Sequence, residues 1–149
     1  MAIKYAHTNI VATNWRRLAQ FYIDVFECRP QLPERDLSGE WIEQVTGLEN
    51  VRIRGIHLQL PGYENGPTLE IFGYEPFGSD GDAPINRRGL GHLAFHVDSV
   101  QAVLTGLLAH GGRQLGKLVV KDFPGLGKLE VVYARDPEGN IVEIQNWQK

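Results

Sequence analysis

A chain of 149 residues with 42% apolar composition is long enough to fold alone, around one core or two half-size modules sharing one. Fifteen Lys and Arg stand against eighteen Asp and Glu, a net charge of -3 with no basic run or stripe, which argues against nucleic acid as a partner. Met1 to Val11 carries no secretory signal pattern and no stretch approaches membrane-spanning length, so the expectation is a soluble cytoplasmic protein with no membrane partner.

Ile3 to Val11 is short, apolar and partly β-branched, and reads as a strand. Thr13 or Asn14 then offers an N-cap for an amphipathic helix carrying Trp15, Leu18, Phe21, Tyr22, Val25 and Phe26. The lone Cys28 follows it; it excludes an internal disulfide, and its setting is that of a small hydrophobe rather than a nucleophile. A loop rich in Pro, Arg and Glu leads to a short helix over Ser38 to Thr46 that ends at Gly47. Strands are expected at Val51 to Leu60 and Thr68 to Tyr74, joined by a turn at Pro61 to Pro67. From Glu75 to Gly89 the composition changes to Pro, Gly, Asp and Ser, which marks a connector.

Beyond the connector the pattern restarts. Leu90 to Val97 reads as a strand, and Asp98 with Gln101 three residues later forms a capping box for a helix that stops at Gly111-Gly112. Strands follow at Gln114 to Val120, Leu129 to Arg135 and Ile141 to Trp147, the last two joined by the turn sequence Asp136 to Asn140. The two halves can be laid over each other. His7 and His92 open strand-then-helix units, Glu64-Asn65-Gly66 precedes Leu69-Glu70-Ile71, and Glu138-Gly139-Asn140 precedes Val142-Glu143-Ile144. The greater spacing in the first half matches the extra loop and helix at Pro33 to Gly47. A duplicated βαβββ unit accounts for the chain as a single domain of residues 1–149: module one over about 1–74, a connector at 75–89, and module two over about 90–149.

Side chains alternate across a strand, so His7, Glu70, His92 and Glu143 lie opposite the apolar faces bearing Ala6 and Ile10, Leu69 and Ile71, Leu93, Phe95 and Val97, and Val142 and Ile144. A pseudo-twofold between the copies would gather two imidazoles and two carboxylates on a concave surface. Ionised glutamates there need a compensating charge, and a mixed nitrogen and oxygen donor set suits Zn, Ni, Fe, Co or Mn better than Ca. The expectation is one divalent metal held by His7, Glu70, His92 and Glu143.

Four phrases carry a resemblance: His7-Thr8-Asn9-Ile10 with the Trp15 to Phe26 helix, Thr68 to Phe72, Gly89 to Asp98, and Asp136 to Ile144. Over nearly the full length the chain resembles the glyoxalase and dioxygenase, or vicinal oxygen chelate, superfamily. The resemblance implies an α+β fold in which two βαβββ modules form a cupped eight-stranded mixed sheet around a metal site. It implies a small-molecule substrate with adjacent oxygens, and a homodimer. The order His, Glu, His, Glu is similar to that of glyoxalase I and implies a lyase or isomerase working by proton transfer through a metal-bound enediolate, with Glu143 the first candidate base and Glu70 the second. Three alternatives stay open: an isomerase similar to methylmalonyl-CoA epimerase, an extradiol-type dioxygenase, and a non-catalytic binding protein of the resistance type.

Other residues have two readings each. His96 and His57 either line the site or are ordinary hydrogen-bonded sheet residues. Arg87 and Arg88 either clamp an anionic substrate tail or sit in a solvated connector, and Gly125 to Gly127 is either a lid or a hairpin loop. That glycine pair is not a phosphate-binding loop, because no strand and helix flank it in the required order.

Overall fold

The computed structural model describes residues 2–79 and 81–149; Met1, and Asp80 within the expected connector, lie outside the described residues. The chain divides into two compact units, Met1–Asp80 and Gly81–Lys149. The first runs β1 (His7–Val11), α1 (Trp15–Phe26), β2 (Arg29–Ser38), α2 (Glu40–Thr46), β3 (Arg52–Gln59) and β4 (Thr68–Glu75). Its strands lie in the order β1-β4-β3-β2, with β1 and β4 parallel and the other pairs antiparallel. The second runs β5 (Leu93–His96), α3 (Val100–Ala109), β6 (Arg113–Gln114), β7 (Val119–Phe123), β8 (Gly127–Arg135) and β9 (Ile141–Gln148). There β5 pairs parallel with β9, β9 antiparallel with β8, and β6 and β7 both antiparallel with β8, as one edge strand in two segments. Each unit is a βαβββ module, and the fold is α+β.

The helices form where sequence chemistry favours them. The Asn14 side chain accepts from the Arg17 amide and starts α1, which buries Leu18, Phe21, Tyr22 and Phe26 on one side. Beneath it, Ile10, Ile56, Leu58, Leu69 and Ile71 supply the covered face of the first sheet. In the second unit α3 buries Val100, Leu104 and Leu107, and the covered residues of its sheet include Val132, Ala134, Val142 and Ile144. The cap of α3 is Ser99, whose hydroxyl accepts from the Ala102 amide, not Asp98. With Ala102 three residues on, no capping box forms, since that device needs Glu or Gln there.

The largest departure from the sequence reading is β2, where a loop was expected. Arg29 to Ser38 carries Pro30 and Pro33 and four charged residues, a composition that reads against a strand. It is the edge strand of its sheet, so one side of its backbone needs no ladder partner, and its register against β3 shifts between Gln31 and Arg35, around Pro33. Charged contacts replace apolar ones: Arg52 grips the Asp36 carboxylate at 3.0 and 2.8 Å, and Arg16 on α1 grips Glu34 at 2.7 and 3.0 Å.

Two strands also start later than expected. β1 begins at His7 because its partner β4 begins at Thr68; the last link is the Thr68 amide donating to Ala6 oxygen, and the preceding Pro67 has no N–H to extend the ladder. β5 begins at Leu93, so His92 stands just outside it, preceded by Gly91 and by an exposed Leu90.

Candidate metal centre

The uncovered face of the first sheet is polar along one row and apolar at one end. At the apolar end Ile42 of α2 packs with Val51, Ile53 and Phe72. The inserted helix therefore closes off part of the site face. Next along β3 comes Gly55, opposite Phe72, where a Cβ would run into the Ile71 carbonyl oxygen and the Phe72 ring. Beyond it lies the polar row.

Glu70 sits at the centre of that row. In the ladder Asn9 of β1 lies opposite it on one side and His57 of β3 on the other. Asn9 Nδ2 donates to Glu70 Oε1 at 2.9 Å, and His57 Nε2 lies 2.7 Å from Oε2. His7, one step along β1 on the same face, brings Nε2 to 3.5 Å from Oε1. Its side chain is 40% exposed against 12% for Glu70, so the pair opens to solvent on the imidazole side. The His7 and His57 rings meet edge to face at 5.4 Å. His57 Nδ1 is 2.8 Å from Thr68 Oγ1, and Phe72 approaches its ring edge-on. Burial pulls the His57 imidazole below its usual pKa, aided by Arg35 and His7 and opposed by Glu70.

The second unit repeats half of this. Glu143 lies between Ala94 of β5 and Tyr133 of β8, and its Oε2 is 3.2 Å from His92 Nε2. The Tyr133 ring stands edge to face against His92 at 5.1 Å, and burial, followed by the Glu143 charge, holds its phenol above the usual pKa. His96 is exposed and pairs with Gln145, one step further along the face.

The donor chemistry of both pairs fits a divalent cation. Two donors on one ion with bonds near 2.1 Å stand about 3.4 Å apart in a tetrahedral shell. The separations of His7 from Glu70 and of His92 from Glu143, 3.5 and 3.2 Å, match that spacing. His7, His57 and Glu70 each offer a donor atom within 4.8 Å of the others. Each module thus brings one of the expected His and Glu pairs together, and His57 joins the first. The sequence left His57 open between lining the site and an ordinary sheet position; the β3–β4 register puts it opposite Glu70.

The remaining candidates have the following surroundings. Cys28 is buried and its thiol is pushed up to about 12, which removes it as a nucleophile. Arg87 and Arg88 are exposed, in a turn closed by the Arg87 amide on Pro84 oxygen. Gly125 to Gly127 forms the β7–β8 hairpin, with Phe123 paired to Gly127. Among the described residues no helix is long and apolar enough to cross a membrane.

No protein of curated function matches the chain in sequence. Its fold is similar to that of a glyoxalase family protein from Bacillus cereus, at 18% identity and TM-score 0.86, covering 100% of this chain and 97% of that one. It is similar to a fosfomycin resistance protein from Listeria monocytogenes, solved with Mn(II) and sulfate, at 14% identity and TM-score 0.58, with 99% and 95% covered. A glyoxalase I mutant from Zea mays gives 18% identity and TM-score 0.64, covering 95% of this chain and 44% of that one. The family model for the Glyoxalase/Bleomycin resistance protein/Dioxygenase superfamily matches residues 4–144, and the chain belongs to that superfamily.

Proposed function

We propose that the protein is a divalent-metal-dependent lyase or isomerase of the glyoxalase I type, moving a proton next to the carbonyl of a small molecule with adjacent oxygens. The observation that carries this reading is that each module sets one imidazole and one glutamate at metal-ligand spacing on the polar face of its sheet. His7, Glu70, His92 and Glu143 are the proposed ligands, with Zn, Ni, Fe, Co or Mn as the ion, in a single domain made of both modules. The protein is proposed to act in the cytoplasm as a homodimer. Light scattering at micromolar concentration tests the dimer, and a monomeric mass refutes it.

A divalent cation held by His7, Glu70, His92 and Glu143 would supply a Lewis acid that acidifies a C–H bond beside the substrate's oxygens. The residues do the rest. Glu143 takes the proton from that carbon and returns it to the neighbouring carbon, while the hydroxyl proton passes from the first oxygen to the second, so the sum is an isomerisation with no co-reactant consumed. Glu70 is the second candidate for the base, but its two oxygens already accept from Asn9 and His57, which suits a fixed ligand better than a group that must swing. The test is solvent deuterium exchange into hydroxy-carbonyl compounds, including the methylglyoxal-glutathione adduct, and into acyl-CoA compounds, beside oxygen uptake with catechols. Exchange into one of these without oxygen uptake supports the reading.

The same engagement of Glu70 favours a second reading. If Asn9 and His57 keep that carboxylate off the ion, His7, His92 and Glu143 remain as a set of two histidines and one carboxylate, which suits iron-dependent oxygen chemistry. Oxygen uptake without exchange would select it.

A further inference from the structure

We infer that His57 is a positioning residue that fixes Glu70 as a one-oxygen metal ligand, an inference that rests on the proposal that Glu70 is a ligand. Three observations carry it. The first is distance. His57 Nε2 stands 2.7 Å from Glu70 Oε2, a hydrogen-bond length, whereas His7 Nε2 stands 3.5 Å from Oε1, at the spacing of two donors on one ion. The two carboxylate oxygens therefore have different surroundings: Oε1, which also accepts from Asn9 at 2.9 Å, faces His7, and Oε2 is tied back to β3 by His57.

The second is the direction of that bond. A carboxylate oxygen only accepts, so Nε2 must carry the proton, and in the neutral ring Nδ1 is left to accept from the Thr68 hydroxyl 2.8 Å away. Thr68, His57 and Glu70 form a chain in which a β4 hydroxyl sets the tautomer of a β3 imidazole, which in turn orients a β4 carboxylate. Phe72 holds the ring edge-on from the next position on that face, and Gly55 leaves room for Phe72. Supports of this kind behind metal ligands change affinity 10- to 100-fold when removed.

The third is the contrast with the other module. The same ladder position opposite Glu143 holds Tyr133, whose ring lies against His92 instead. The His57 device therefore belongs to one ligand glutamate and is no general feature of the duplicated unit.

The experiment uses the full-length protein loaded with Co(II), reading cobalt affinity by chelator competition and ligand number from the visible spectrum. Circular dichroism checks that each variant folds. His57→Ala should weaken cobalt about 10- to 100-fold. His57→Gln, whose amide nitrogen reaches near the Nε2 position and also donates, should stay within about threefold of the unaltered protein with the same spectrum. Thr68→Val, which removes the proton that sets the tautomer, should fall between the two. An alanine variant binding like the unaltered protein overturns the inference. So does a glutamine variant as weak as alanine with a changed spectrum, since His57 would then ligate directly. If the unaltered protein binds no cobalt, or Glu70→Ala binds it undiminished, the ligand reading itself has failed; normal Glu70 dependence with an insensitive His57 sinks this inference alone.

Discussion

Glu70 and Glu143 occupy matching positions on two similar ladders, each on a strand flanked by a parallel neighbour and an antiparallel one. Their surroundings differ. Asn9 and His57 hold Glu70, while Ala94 and Tyr133 flank Glu143, and among the described residues the side-chain partner of Glu143 is His92. The ladder fixes where a side chain starts, and the neighbours across each rung decide what it is free to do. A duplicated module can in this way give two copies of one residue separate roles.

The comparison breaks first on catalysis. Under the proposed function Glu143→Gln should lower proton exchange by about 10²- to 10⁴-fold, the range for losing a positioned general base, while leaving more metal bound than Glu70→Gln does. Glu70→Gln should lose metal before it loses chemistry. Exchange rates and elemental analysis on both variants decide the matter, and equal losses in both would mean that the glutamates share one role. His92→Ala should lose most of its metal; occupancy at the unaltered level would show that the ligand set is wrong.

The next test grafts one module's surroundings onto the other. Ala94→Asn with Tyr133→His gives Glu143 the neighbours of Glu70. Metal affinity should rise and proton exchange should fall as the carboxylate is tied down, each by about tenfold. Calorimetric titration with Mn(II) and the exchange assay read the two effects separately. A rise in both would contradict the division of roles.

Much of this was legible in the sequence because it depends on local periodicity. The Trp15 to Phe26 helix, its cap at Thr13 or Asn14, and the apolar faces around Leu69, Ile71, Val142 and Ile144 follow from spacing alone. The two His and Glu pairs followed from alternation and repetition. What escaped depends on pairing. β2 carries the prolines and charges of a loop, and its strand character comes from β3 beside it. His57 and His96 were each open between lining the site and an ordinary sheet position; register puts one opposite Glu70 and the other opposite Gln145. A shift of one residue in either ladder would have turned the side chain to the other face.

A smaller effect compares the two cores. Leu58 in the first sheet and Ile144 in the second are both fully buried under their helices. Truncating either to alanine should cost about 2–5 kcal/mol in denaturant unfolding, the range for large apolar residues in a close-packed interior. Similar losses would show that the modules share one stability scale despite different sites. A loss below about 1 kcal/mol would mean that the affected core repacks around the gap.

The smallest expected effect concerns the sheet edge that the sequence concealed. Arg16 and Arg52 hold the Glu34 and Asp36 carboxylates below their usual pKa values, chiefly through the hydrogen bonds they donate. A carboxylate lowered in the folded state stabilises at pH values above its unfolded pKa, and the contribution is lost as pH falls through the lowered folded value. All four groups lie at the surface, so salt and water screen them and the global unfolding midpoint at neutral pH should barely move on Asp36→Asn. The local response should be clearer, because β2 has few apolar contacts to fall back on. Below about pH 4, amide hydrogen exchange along Arg29 to Ser38, corrected for the intrinsic pH dependence of exchange, should accelerate more than exchange along β7, the edge segment of the other module. High salt at neutral pH should reproduce part of the effect. Equal acceleration of the two edges would mean that backbone pairing, not the charge rungs, holds β2 in place.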